Sequence, residues 1–298
     1  MWYHAGKLRN LRVVNPPILM HRTTATRWSN LGALSSAVAI IAVLLLVSVV
    51  HAATPRACAG VSSCPIIYPT GTPSATAVSH MAPTPARFPG YRLIETTTFP
   101  GSSVPAGWYA FSGQPGGDPG TSFSPRHVVV ANNVVSLNAF PVATSHGIWM
   151  TGGLCECDRP FRYGAVFVRS RMTGAGATQV EMLWPKVGTS PEVDFDETFG
   201  GIYQSTATVH YGAEDFQIHR VKAVNMLLWH TWGVIWTPTT LIYTLDGHAW
   251  GSVTTPAAIP HVAMSVHLQQ QTWCSAHFAC PTAPVSTQVA WVARYANV

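Results

Sequence analysis

Short apolar runs recur at close intervals from Tyr91 to the C-terminus, each bounded by Gly, Pro, Asn or Asp, and no apolar stripe at helical spacing extends beyond two turns. Such a pattern marks strands rather than helices. The predicted strands lie in HVVVANNVVSLNAF (127–140), turned at Asn132-Asn133, GAVFVRSRM (164–172), TQVEMLWP (178–185), TATVHYG (206–212), HTWGVIWTPTTLIYTLDGHAW (230–250), HVAMSVHLQ (261–269) and VAWVARY (289–295). Val, Ile, Trp, Tyr and Thr, the residues that suit a pleated surface, dominate them. In the longest, Trp232, Val234 and Trp236 alternate with Gly233 and Ile235, which predicts Trp232 and Trp236 in the core. Thr237-Pro238-Thr239-Thr240 then turns the chain into Leu241, Tyr243 and Leu245, and Asp246-Gly247 makes a second tight turn. Strands at this spacing predict one all-β domain, a two-sheet antiparallel β-sandwich or jelly roll. The chain has no internal repeat, no Gly-rich phosphate loop and no strand–helix alternation.

The pattern changes before Tyr91. Residues 53–90 are rich in Pro, Thr, Ser and Ala without an apolar period and read as a linker or stalk. Residues 31–50, LGALSSAVAIIAVLLLVSVV, carry no charge and follow a basic segment, as an export signal does. Val50 and Ala52 suit cleavage after Ala52, while an uncleaved membrane anchor is the alternative, because the run also suffices to cross about 30 Å of hydrocarbon. The expected division is therefore a leader with an apolar helix (1–52), a linker (53–90) and the domain (91–298), the last secreted or held outside the cytoplasm by the leader.

Composition narrows the function. With 47% hydrophobic and 10% charged residues in 298, the chain is not disordered. The net charge of +5 suggests nucleic acid until its placement is considered. Lys7, Arg9, Arg12, Arg22 and Arg27 all precede the first acidic residue, Glu95, and from Ala53 onward twelve basic residues balance twelve acidic ones. No nucleic-acid partner is expected. All six cysteines follow the apolar segment and predict disulfides: Cys58 and Cys64 flank AGVSS, and Cys274 and Cys280 flank SAHFA, suggesting local loops. On a strand, Cys155 and Cys157 share a face at a separation near the upper limit for a bond, and a metal site is the alternative there, although no second Cys or His pair stands at zinc spacing.

Four of the twelve acidic residues fall within six positions, Glu192-Val193-Asp194-Phe195-Asp196-Glu197. Like charges on one strand repel, so the concentration calls for a function. On a regular strand Glu192, Asp194 and Asp196 share a face; a one-residue bulge instead returns Glu197 to the face of Glu192 and Asp194 and displaces Asp196. The two outer glutamates are then about 13 Å of backbone apart, close enough for their carboxyls to approach the ~5 to 5.5 Å separation of a retaining glycosidase.

This hexapeptide resembles the Glu-x-Asp-x-x-Glu signature of glycoside hydrolase family 16, the laminarinase, lichenase, agarase and carrageenase family. FVRSRMTGAGATQVEMLWP upstream is similar to the strand pair that leads into that signature, and TVHYG, WHTWGVIWTPTTLIYTLDG and VAWVARY downstream are similar to later strands of the family. The resemblance covers approximately residues 91–298. It implies a concanavalin-like jelly roll with an open cleft on its concave sheet, cleaving a β-linked polysaccharide, by default a β-1,3-glucan. By the same resemblance Glu192 is the nucleophile, Asp194 the partner between the glutamates, and Glu197 the general acid and base. Close carboxylates push one another's pKa values apart, which suits these opposite roles. Two departures stand out: Asp196 replaces an apolar residue of the bulge, which would matter little if its side chain turned toward solvent, and Thr189, Ser190 and Pro191 stand where many members carry a Trp.

Sugar-binding candidates are Trp149, Trp184 and Trp273, beside Gly- or Pro-bearing loops or the signature, His210 in TVHYG, and His267, Gln269 and Gln271, which alternate on one strand. The histidines show no zinc-site spacing, and no Gly-x-Ser-x-Gly elbow is present. No cofactor is required, although the acidic run alone would also suit calcium and a structural calcium is allowed on the convex face. The expected partner is a polysaccharide and the expected state a monomer. A jelly roll that binds sugar without cleaving it, or a transglycosylase on the same site, are the alternatives.

Overall fold

The computed structural model describes residues 87–88, 90–114, 121–141, 149–273 and 280–298, all within the unit Pro55–Val298. The leader, nearly all of the linker, Cys58, Cys64 and Cys274 lie outside the described residues.

Two sheets form the domain. The first has eleven strands in the order β16 (His248–Val253), β15 (Leu241–Leu245), β14 (His230–Trp236), β9 (Gly164–Met172), β18 (Val285–Asn297), β6 (Val134–Pro141), β7 (Trp149–Thr151) and β4 (Thr121–Phe123). Beside this path, β2 (Tyr91–Thr98) pairs with β18, β1 (Arg87–Phe88) with β2, and β5 (Val128–Ala131) with β6. The second sheet has seven strands in the order β13 (Phe216–Ala223), β12 (Gln204–Tyr211), β11 (Glu192–Glu197), β10 (Thr178–Pro185), β17 (Met264–Gln271), β8 (Gly153–Cys155) and β3 (Tyr109–Ala110). Pairing is antiparallel except between β4 and β7. No α-helix occurs among the described residues.

The strands coincide with the apolar runs because each run buries one face. Leu183, Val193, Phe195, Val209 and Leu268 of the second sheet pack on Val166, Val168, Trp232, Val234 and Trp236 of the first. Each such side chain contributes about 1.5–3 kcal/mol of burial. Trp236 satisfies its indole N–H on the Pro260 carbonyl at 3.0 Å, which lets so large a ring be buried at little polar cost. The predicted turns form where left-handed backbone is required, at Asn132 (φ 53°) and Asn133 (φ 59°) between β5 and β6, and at Asp246 and Gly247 between β15 and β16. Strands β2 and β13 escaped the pattern: β13, FQIHRVKA, is an edge strand largely exposed on both faces and therefore lacks alternation.

Candidate active site

Strand β11, between β12 and β10 in the second sheet, carries the acidic cluster. Opposite β12, Glu192 faces His210, Asp194 faces Thr208 and Glu197 faces Thr206. The partners on β12 step by two residues each time, whereas β11 uses three for its last step, so one residue is bulged out of β11. The bulge puts Glu192, Asp194 and Glu197 on the outer face, while Val193 and Phe195 enter the core.

Register extends this face across the sheet. Asp194 lies opposite Met182, Met182 opposite His267 and His267 opposite Cys155. A parallel row runs from Glu197 through Val180 and Gln269 to Gly153. Aromatic side chains wall it: the rings of Phe111 and Trp184 lie 5.5 and 6.2 Å from that of His267. A Cβ at Gly153 would come within 2.6 Å of the Phe111 ring, so the absent side chain is what lets this wall close over the sheet. The walls leave Asp194 only 2% and Glu197 8% exposed although they occupy an outer sheet face.

Burial and crowding set the electrostatics. Burial first, and then the charge of Asp194, pushes the Glu192 carboxyl well above the ordinary range, with His210 opposing. Glu197 is raised in the same way by burial and Asp194, and additionally by Asp196. His210 sits between two carboxylates, 3.4 Å from Asp194 and 2.9 Å from Asp215. Burial alone would discharge its ring, but the hydrogen bonds and charges of Asp194, Glu192 and Asp215 outweigh that and push its pKa up to about 10. At neutral pH it is an imidazolium beside the register position of Glu192. His267 behaves oppositely: with no carboxylate to hold a charge, burial lowers its pKa to about 3, and its Nε2 meets the Ser265 hydroxyl at 3.0 Å.

Most sugar-binding candidates gather here. Trp184, His210, His267 and Gln269 share the outer face with the glutamates, and Gln271 donates to the Gln269 carbonyl at 2.6 Å. Trp273 lies just past the end of β17, half-buried. Trp149 is different: it belongs to β7 of the first sheet and packs on the small cluster of Ala139, Ala177 and Val285, so the chain's fold, unlike its loop-rich surroundings, assigns it to packing.

Two positions that the sequence left open are placed. Asp196 does not turn to solvent: it is 0% exposed and points between the sheets, where Gln179 and Ser205 donate to its carboxylate. The physical reason is that the bulge turns both Phe195 and Asp196 away from the outer face, and the donors waiting inside satisfy the carboxylate. Cys155 and Cys157 are joined by a disulfide with Cα atoms 5.1 Å apart, and Glu156 between them pairs with Arg294 at 2.9 Å. Cys280 is also disulfide-bonded.

Sequence reasoning overlooked Phe111, Met182, Asp215, His219 and Glu181. Phe111 and His219, the latter 3.0 Å from Thr208, lie beside the site only through long-range pairing and carried no local signal. Glu181 did carry one, being a lone carboxylate in the otherwise uncharged run TQVEMLWP.

The model of glycosyl hydrolases family 16 matches residues 120–292. Similar solved structures include the endo-beta-1,3-glucanase of Pyrococcus furiosus, 18% identical over 70% of this chain and 95% of that one with a TM-score of 0.61. The laminarinase catalytic domain of Thermotoga maritima MSB8 is 14% identical over 70% and 99% of the two chains, with a TM-score of 0.61. A structure described among endo-acting O-glycanases by which human gut microbiota initiate mucin breakdown is 16% identical over 70% and 91%, with a TM-score of 0.58. At these identities the likeness is one of fold. No curated protein matches the chain.

Proposed function

The chain belongs to glycosyl hydrolases family 16, and from that premise we propose that it is an exported, retaining endo-glycosidase that cuts a β-linked polysaccharide by double displacement. One observation carries the reading: the bulge in β11 sets Glu192, Asp194 and Glu197 on one walled face, opposite His210, Thr208 and Thr206. In the first step the Glu192 carboxylate attacks the anomeric carbon while Glu197 delivers its proton to the departing glycosidic oxygen. In the second, Glu197 takes a proton from water, which displaces Glu192 and restores both groups. The neighbours suit this division. The His210 cation favours the charged form of both Glu192 and Glu197, and at Glu197 the charge of Asp196 opposes it by favouring the protonated form.

Trp184, His267 and Gln269 offer an aromatic face, a neutral imidazole and an amide, a set that recognises sugars rather than ions. We propose a β-1,3-glucan as first substrate and mucin-type glycans as the second, by analogy with the structural neighbours. No cofactor takes part in the scheme, and the uncharged segment 31–50 supplies export.

The test is reducing-end release from β-1,3-glucan, mixed-linkage glucan, galactan and mucin glycans by the full chain, beside its Glu197→Gln variant. Cleavage by the parent and its loss in the variant is the expected result. A folded parent that retains one of these polymers without cutting any would replace the enzyme by a binding module.

A further inference from the structure

Behind the catalytic face lies a second acidic pair. Glu181 on β10 and Asp196 on β11 are both fully buried between the sheets and stand opposite one another in the ladder. The Gln179 amide donates to Asp196 and, at 3.4 Å, to Glu181, and also reaches the Ser170 hydroxyl of the first sheet at 3.1 Å. Nothing comparable is needed for a sandwich, whose interior is more stable when filled with apolar groups.

The pair is tied to the bulge by backbone. Ser205 Oγ donates to Asp196 and accepts the backbone N–H of Glu197 at 3.2 Å. On the other side, Gln179 exchanges two bonds with Thr198, its N–H donating to Thr198 Oγ1 at 3.0 Å and its carbonyl accepting the Thr198 N–H at 3.2 Å. The residues that hold the Asp196 carboxylate therefore also hold the peptide groups on both sides of the Glu197 Cα.

The two carboxyls are not equivalent. Glu181 Oε2 has no hydrogen-bond partner among the described residues, and burial followed by the Asp196 charge holds its pKa well above the ordinary range. Asp196 has two donors and the distant His230 to offset its burial, and titrates at about 7. Glu181 thus holds its proton the more tightly, and Asp196 is the one of the two whose donors favour the anion. The charged groups around Asp196 are Glu181 from β10, His230 from β14 and Glu197 on its own strand; those around Glu197 are Glu192, Asp194 and Asp196 on its own strand and His210 from β12. His230 is itself committed to Asp246, at 2.6 Å.

We propose that Asp196 is a positioning residue for Glu197, acting from the core side of the sheet by anchoring the bulge through Ser205 and by presenting its buried charge to the acid–base carboxyl. The inference rests on the role of Glu197 proposed above. It also accounts for a carboxylate where the family's bulge has an apolar residue, since an apolar side chain could neither hold Ser205 nor act on Glu197 through space.

Asp196→Asn and Ser205→Ala, made in the full chain, separate the two contributions. In Asp196→Asn the alkaline limb of kcat/KM moves down by about one pH unit and kcat falls about 10-fold, with KM unchanged. Ser205→Ala removes the hydroxyl that holds the Glu197 N–H, so its kcat falls by about the same factor; because that hydroxyl also helps to keep Asp196 charged, its limb moves in the same direction but by less than in Asp196→Asn. A readout that needs no substrate is the carboxyl 13C titration of Glu197, assigned by its disappearance in Glu197→Gln; it too moves down by about one unit in Asp196→Asn. If the parent cuts glycans but the Glu197 titration and the limb stay put in Asp196→Asn, the inference fails while the enzyme reading stands. If no glycan is cut but the titration moves, the coupling stands and the enzyme reading fails. Should Asn at 196 prevent folding, Ser205→Ala decides alone: an unchanged kcat overturns the inference.

Discussion

The two faces of β11 carry carboxylates in opposite circumstances. On the outer face Glu192, Asp194 and Glu197 are crowded together and gain one cation, His210. On the inner face Asp196, beside Glu181 of the neighbouring β10, is sealed between two sheets and held by neutral donors, Gln179 and Ser205, which leave Glu181 Oε2 without a hydrogen-bond partner among the described residues. In the proposed mechanism each member of the outer set has chemistry to perform, which accounts for its repulsion; the inner pair bears desolvation and takes no direct part in that mechanism. A buried charge without a reaction partner is expensive and is weak evidence for stability. Its presence one residue from the acid–base glutamate argues that it acts through that residue.

Substitutions can break this contrast. The largest effect is expected on the outer face: Glu192→Gln should lower kcat at least about 10⁴-fold while the melting temperature stays within about 2 °C of the parent, because the amide keeps the volume but cannot attack. Retention of a few per cent of activity in steady-state assays would remove Glu192 from the nucleophile's role. Next, His210→Gln should reduce kcat/KM about 100-fold at pH 7 by withdrawing the cation that stands beside Glu192 and Asp194 among the described residues. An unaltered rate there would make the ring a substrate contact at most.

The inner face should respond in stability rather than rate. The Glu181 carboxyl has a higher pKa folded than unfolded, so its favourable contribution is complete below about pH 4.5 and is lost as pH rises above that value. Glu181→Gln cannot ionise and should escape this loss, matching the parent at pH 4 and exceeding it by up to about 1.4 kcal/mol per pH unit above 4.5. Urea unfolding at pH 4 and pH 7 measures the difference, and a variant less stable at both would mean that the Glu181 carboxylate is needed in its charged form. The smallest effect belongs to Asp215→Asn. Its side chain is 60% exposed and solvent screens its pull on His210, so kcat/KM at neutral pH should change by no more than about 3-fold. A loss as large as that of His210→Gln would show instead that Asp215 carries the imidazolium.

Much of the site was legible because it is local. The Glu-Val-Asp-Phe-Asp-Glu run, its bulge and the uncharged strands around it need only the two-residue period of a strand and the cost of crowding like charges. The alternation on β17 likewise puts His267 and Gln269 on one face, and the register of β10 carries the row from Asp194 through Met182 to His267. Trp149 misled because a loop-flanked aromatic looks the same whether it faces a sugar or, as here, Ala139 and Val285.

Periodicity within single strands was therefore enough to predict an all-β sandwich and the positions of most strands; a regular period alone would group Asp196, not Glu197, with Glu192 and Asp194, and the bulge exchanges the two. Periodicity could not say where Asp196 points, that Phe111 closes over Gly153, or that Ser170 of the opposite sheet receives the Gln179 amide. Those outcomes depend on partners far away in the chain. A displaced carboxylate goes to solvent or inward according to whether donors await it inside, and only the packing of one sheet on the other supplies them.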